Sequence, residues 1–120
     1  LLERLDDALK NTPGAAISVA RLRNAELHFA GVGNVQGSVG LRPLTVRAGV
    51  VGVRMHRPIV VQTELKPDVW FLMHTDGVSR PTDIPPGAAG HVARALVERF
   101  GSSSDDAAVL ALRWREALGD

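Results

Sequence analysis

Val69–Arg80 reads VWFLMHTDGVSR, and the fold turns on how this stretch is read. Five apolar residues, Val69 to Met73, run into Thr75-Asp76-Gly77 and then into a polar, proline-containing segment. A short continuous apolar run closed by turn residues fits a strand covered on both faces. Asp76 then stands at the mouth of a rigid strand, with Gly77 beside it to let the backbone turn sharply. Two readings of Asp76 are open at this point. It is a carboxylate placed to hold a metal or a substrate, or an aspartate that begins a turn.

The composition frames that choice. A chain of 120 residues, 45% hydrophobic and 22% charged, is expected to be one soluble domain, residues 1–120, large enough for a real core. Fourteen basic residues against thirteen acidic ones leave a net charge of +1, which gives no electrostatic argument for a nucleic-acid partner. No run approaches the ~18 apolar residues of a membrane span, and no basic-then-apolar leader is present, so a cytoplasmic location is expected. With no cysteine, disulfides, thiolate zinc sites and a cysteine nucleophile are excluded. Leu1, Leu2, Leu5, Ala8 and Leu9 form an apolar helical stripe, and a stripe at the first residue predicts a chain that begins part-way through a domain.

Outward from the central stretch, the chain reads as short strands between two helices. The first helix is predicted to end near Lys10 or Asn11, before the turn signal Thr12-Pro13-Gly14. Ala15–Leu22 and Leu27–Ala30 read as an antiparallel hairpin around Arg23-Asn24-Ala25-Glu26. Two short strands are expected within Leu44–Val53, a third β run at Ile59–Thr63, and an exposed basic segment at Arg54–Arg57. A helix over His91–Phe100, with Gly101 as its C-cap, precedes a last apolar strand over Ala107–Trp114. The predicted arrangement is an antiparallel meander, not a series of βαβ units.

Several chemistries are poorly supported. The glycine-rich segment Gly31–Gly37 spaces its glycines as G-x-G-x-x-x-G, and Pro43 follows where a phosphate-binding helix would have to continue. It reads instead as a strand end or bend where another backbone comes close. His28, His56 and His91 are scattered, and no serine lies in a G-x-S-x-G elbow. His74 lies two residues before Asp76 and shares its strand face. The carboxylates are better placed. Asp76 ends one predicted strand and Asp105-Asp106 begin another, so antiparallel pairing of the two would bring them to one rim. Such a rim suits a hard cation such as Mg²⁺ or Mn²⁺; the competing reading is a turn aspartate beside a solvated loop.

Five segments in order resemble a known family. They are Pro13-Gly14-Ala15-Ala16-Ile17, Phe29 to Val35 (FAGVGNV), Ala48 to Gly52 (AGVVG), Phe71 to Val78 (FLMHTDGV) and Ser104 to Leu110 (SDDAAVL). Together they resemble the metal-dependent PP2C-type (PPM) serine/threonine phosphatases, in particular their SpoIIE/RsbX-like bacterial sporulation and stress-response branch. The resemblance implies an α+β fold, an antiparallel β-sandwich flanked by helices, with two Mn²⁺ or Mg²⁺ ions on carboxylates at one edge. It implies that Asp76 and Asp105 are metal ligands, that Gly77 is the glycine beside the first ligand, and that Asp106 fills the second position of the aspartate pair. It carries no role for His74, which is expected to be a buried or rim histidine. The implied activity is removal of phosphate from serine or threonine of a phosphorylated regulatory protein in partner-switching signalling, by a metal-activated water. The family's N-terminal aspartate-glycine motif is not among these residues. The chain is therefore expected to be the C-terminal two thirds of such a domain, with little activity by itself. The alternative is a non-catalytic interaction module built on a partial phosphatase fold.

Overall fold

The structure is a computed structural model that describes residues 1–115. Its centre is the strand β8 (Phe71–His74), buried as its sequence predicts. Phe71 and Met73 face one side, where Phe71 joins a core with Leu27, Phe29, Leu44 and Leu65. Trp70 and Leu72 face the other side and pack on Val92 and Leu96 of helix α2 (Ala89–Phe100). Alternation of side chains along the strand therefore sends apolar groups into two separate cores.

Such a strand needs a neighbour on each edge. It lies between β3 (Gln36–Val39) and β9 (Val109–Leu112), with β4 (Arg42–Pro43) outside β3, in a sheet of order β4-β3-β8-β9. A second sheet has the order β1-β2-β7, from Ile17–Arg23, Glu26–Val32 and Val61–Glu64. Phe29 on β2 and Phe71 on β8 meet edge-to-face at 6.2 Å, which marks the seam between the sheets. Beyond the β1-β2-β7 sheet, Leu2, Leu5 and Leu9, on and just beyond helix α1 (Leu2–Ala8), pack on Ala30, Val32 and Val51. The layers run α1, sheet, sheet, α2. This is the expected α+β sandwich flanked by helices.

The β1–β2 hairpin forms as expected. Its two-residue turn has Asn24 and Ala25 at φ 50° and 66°, the left-handed pair that matches the twist of the strands. The two strands expected within Leu44–Val53 are displaced. One lies earlier, as β4, and the other is β5 (Gly49–Val50), which pairs with β6 (Arg54–Met55) in a small hairpin. Arg54, expected in an exposed basic segment, is thus part of a strand, although Arg54, His56 and Arg57 are exposed. Helix α1 ends at Ala8, short of Lys10, because Asn11 takes a left-handed conformation at φ 68°.

Two expectations need correction. The strands all pair antiparallel, but they do not form a simple meander: β7 returns to β2, and β8 inserts between β3 and β9. Burial on both faces forces β8 into the middle of its sheet, and chain order does not reveal that. Gly101 does cap α2, but at φ −71°, so left-handed freedom is not its purpose. A Cβ at Gly101 would collide with the carbonyl oxygen of Val97, to which its own N–H donates at 2.8 Å.

Candidate metal rim

The register of the central sheet dictates which loops meet. β3 and β8 pair as Gln36↔His74, so continuing the ladder by two residues sets Asn34 opposite Asp76. β8 and β9 pair as His74↔Val109, so two further residues set Ala107 opposite Asp76, and a third sets Asp106 opposite Gly77. The side chains follow. Asn34 Nδ2 donates to Asp76 Oδ2 at 2.9 Å. Thr75 donates its N–H to the Ala108 carbonyl at 3.1 Å, and its hydroxyl oxygen accepts the Ala108 N–H at 3.0 Å. Ser102 N–H donates to the Gly77 carbonyl at 2.7 Å, and Val78 bridges Gly101. The segment 101–108 is thereby tied along the end of β8.

Gly77 lies in the turn its sequence context suggests, closed by Val78 N–H donating to the Thr75 carbonyl at 3.1 Å, and it has a second reason to be glycine. Its φ is not among the positive values, but a Cβ on it would overlap the Asp106 carbonyl oxygen and lie 2.8 Å from the Asp106 carbonyl carbon. The glycine is needed because another backbone passes where a side chain would be. The aspartate loop therefore sits directly on the residue after Asp76.

Asp76, Asp105 and Asp106 are all exposed. Asp105 Oδ1 accepts the N–H of Asp106 at 2.8 Å, and Asp76 has one oxygen on Asn34, so each of these two carboxylates has a second oxygen to offer. Carboxylate oxygens are the donor type of a hard cation. The number is insufficient: among the described residues no three His, Cys, Asp or Glu side chains gather to hold a metal.

His74 is buried at 6% exposure, with Nδ1 3.1 Å from the Thr75 carbonyl oxygen. It lies with Gln36, Ser38, Asp76 and Arg80 around a cleft of about 280 Å³ on the sheet's outer side. Sequence reasoning gave no role to Asn34 or Arg80. Asn34 sits in the glycine-rich segment, which is a bend of the expected kind: Gly33 takes φ 101°, and a Cβ there would fall 3.0 Å from Ala16 Cα. Its position two residues before Gln36 carried the signal, but only once β3 was known to pair with β8.

The same framework occurs in solved structures. One, reported for the bacterial stressosome, a modular system that has been adapted to control secondary messenger signaling, superposes with a TM-score of 0.81 at 22% identity over 93% of the chain. RsbX, crystallised in complex with magnesium, superposes with a TM-score of 0.76 at 20% identity over 92%. The phosphatase domain of the cell fate determinant SpoIIE from Bacillus subtilis, presoaked with manganese, gives 0.68 at 16% identity over 98%. The chain has the PP2C-like fold. It spans 65%, 61% and 66% of those three chains, under two thirds of each. No family model matches the sequence, and no curated protein does. Among the described residues no helix is long and apolar enough to cross a membrane.

Proposed function

We propose that residues 1–120 are the C-terminal two thirds of a metal-dependent serine/threonine protein phosphatase domain that acts on a phosphorylated regulatory protein. The observation that carries this reading is the meeting of Asp76 with the Asp105-Asp106 loop at one end of β8, within a fold shared with phosphatase domains. Asp76 and Asp105 hold divalent cation on this side of the centre, and the remaining carboxylate comes from sequence outside these residues. Mn²⁺ or Mg²⁺ bound there would supply a water of lowered pKa as nucleophile and offset the charge of the phosphoryl oxygens. Asn34 fixes the Asp76 carboxylate by its 2.9 Å hydrogen bond, and Gly77 lets the second aspartate loop come close. The likeness to RsbX and to a stressosome structure supports a protein partner in signalling.

The test is Asp76→Asn in the full-length protein. Mn²⁺-dependent release of phosphate from p-nitrophenyl phosphate is expected to fall by about two orders of magnitude or more, the usual scale for loss of a charge-stabilising group. Unchanged turnover would refute the assignment. The competing reading, a non-catalytic docking module, is favoured by the absence of a three-ligand cluster among the described residues. It predicts that the full-length protein shows no Mn²⁺-dependent hydrolysis at all.

A further inference from the structure

The cleft beside Asp76 has one permanently charged cation in its lining, Arg80, and the arrangement around it is fixed. Val78 N–H donates to the Thr75 carbonyl at 3.1 Å, Ser79 N–H donates to the Phe100 carbonyl at 2.8 Å, and Pro81 is buried. The backbone that carries Arg80 is thus held on both sides of the residue. Its guanidinium is directed across the cleft mouth, where Nη2 donates to the Leu41 carbonyl at 3.3 Å in the β3–β4 turn. A guanidinium has five N–H donors in a planar fork, so one such bond orients it and leaves the others for an oxyanion. The remaining lining includes Gly40, where a Cβ would meet nothing within 4 Å, and Pro43, which carry little bulk or charge.

The size of the cleft restricts its occupant. About 280 Å³ lies at the low end of the ~300–1,000 Å³ of sites that enclose drug-sized ligands and cofactors, a size suited to a single phosphorylated side chain. An anion entering it would meet Arg80 in a lining that also includes Asp76, four residues earlier.

We propose that this cleft seats the phosphorylated side chain of the protein substrate, with the Arg80 guanidinium gripping the phosphoryl oxygens beside Asp76. The inference rests on the phosphatase reading above and adds to it a substrate-binding residue. Gly40 and Pro43 in the lining leave space for the methylene or methyl of phosphoserine or phosphothreonine, and the held arginine supplies directional recognition of the dianion.

The experiment uses the full-length protein, its Arg80→Ala and Arg80→Lys variants, p-nitrophenyl phosphate as substrate and inorganic phosphate as ligand. For Arg80→Ala, KM and the inhibition constant of inorganic phosphate are both expected to rise about 10- to 100-fold, the loss of charge-assisted hydrogen bonds. The half-saturating Mn²⁺ concentration should stay put. Arg80→Lys, which keeps the charge and loses the fork, should fall between. If both constants in Arg80→Ala stay within twofold of the parent while Asp76→Asn abolishes turnover, Arg80 does not grip phosphate and the phosphatase reading survives. If Asp76→Asn keeps full turnover, the phosphatase reading itself fails. In that case calorimetric titration with inorganic phosphate still decides: equal affinity of parent and Arg80→Ala overturns the role of Arg80.

Discussion

Replacing Gly77 by alanine adds a single methyl group at the point where the two aspartate-bearing segments touch. An added Cβ would overlap the Asp106 carbonyl oxygen and stand 2.8 Å from the carbonyl carbon, where ordinary contact begins at 3.4 Å. The carbonyl carbon must retreat by about 0.6 Å and its oxygen by more, and both are backbone, with no flexible side chain to swing aside. Tight packing converts such a clash into backbone displacement that costs about 1–3 kcal/mol. The retreat carries the Asp105-Asp106 loop away from Asp76, so stability and metal binding should suffer together. Urea denaturation of the full-length protein measures the first, and Mn²⁺ titration the second. Gly90→Ala is the matched control. A Cβ there meets nothing within 4 Å, and the residue is helical, so alanine should stabilise by up to ~1 kcal/mol. If Gly77→Ala changes stability by less than about 0.5 kcal/mol and leaves Mn²⁺ affinity intact, the close approach is not what holds the rim together.

Other outcomes follow from the same contacts. Leu72→Ala empties a fully buried position between β8 and α2 and should destabilise by about 2–5 kcal/mol in urea titration. Ala25→Gly relieves a left-handed alanine at φ 66° and should raise stability by about 1 kcal/mol, seen as a higher Tm. Asn34→Ala removes the donor to Asp76; the site is exposed, so Mn²⁺ half-saturation should weaken only about 2- to 10-fold. The 120-residue chain by itself should release little phosphate with Mn²⁺, and robust turnover by it would show that no outside carboxylate is needed.

Much of this architecture was legible in the residues. The run Val69–Met73 signalled a strand covered on both faces, and Phe71 and Leu72 do face separate cores. Val92, Leu96 and Phe100, four apart, signalled α2. The placement of Asp76 beside the aspartate pair followed from assuming that β8 and β9 are antiparallel neighbours, which they are. What stayed hidden depends on contacts between residues far apart in the chain. Asn34 reaches Asp76 only because β3, 30-odd residues upstream, pairs with β8. Arg80 gains a setting only when the Leu41 carbonyl comes across to meet it. The predicted last strand, Ala107–Trp114, overruns the observed Val109–Leu112 at both ends because Ala107-Ala108 and Trp114 continue an apolar pattern. In the fold, Ala108 pairs with Thr75 beyond the strand, and Trp114 Nε1 donates to the Leu65 carbonyl at 2.6 Å. Gly77 does sit in the turn its neighbours signal, but nothing local reveals that a second backbone also presses on it.

The central claim is that Asp76 and Asp105 together form one side of a divalent-cation centre. Equilibrium titration of Mn²⁺ into the full-length protein, Asp76→Asn and Asp105→Asn tests it without recourse to activity. Each variant should lose at least about tenfold in Mn²⁺ affinity, the scale of one charged ligand removed from a hard-cation site. Binding curves for either variant that superpose on the parent's would contradict the account.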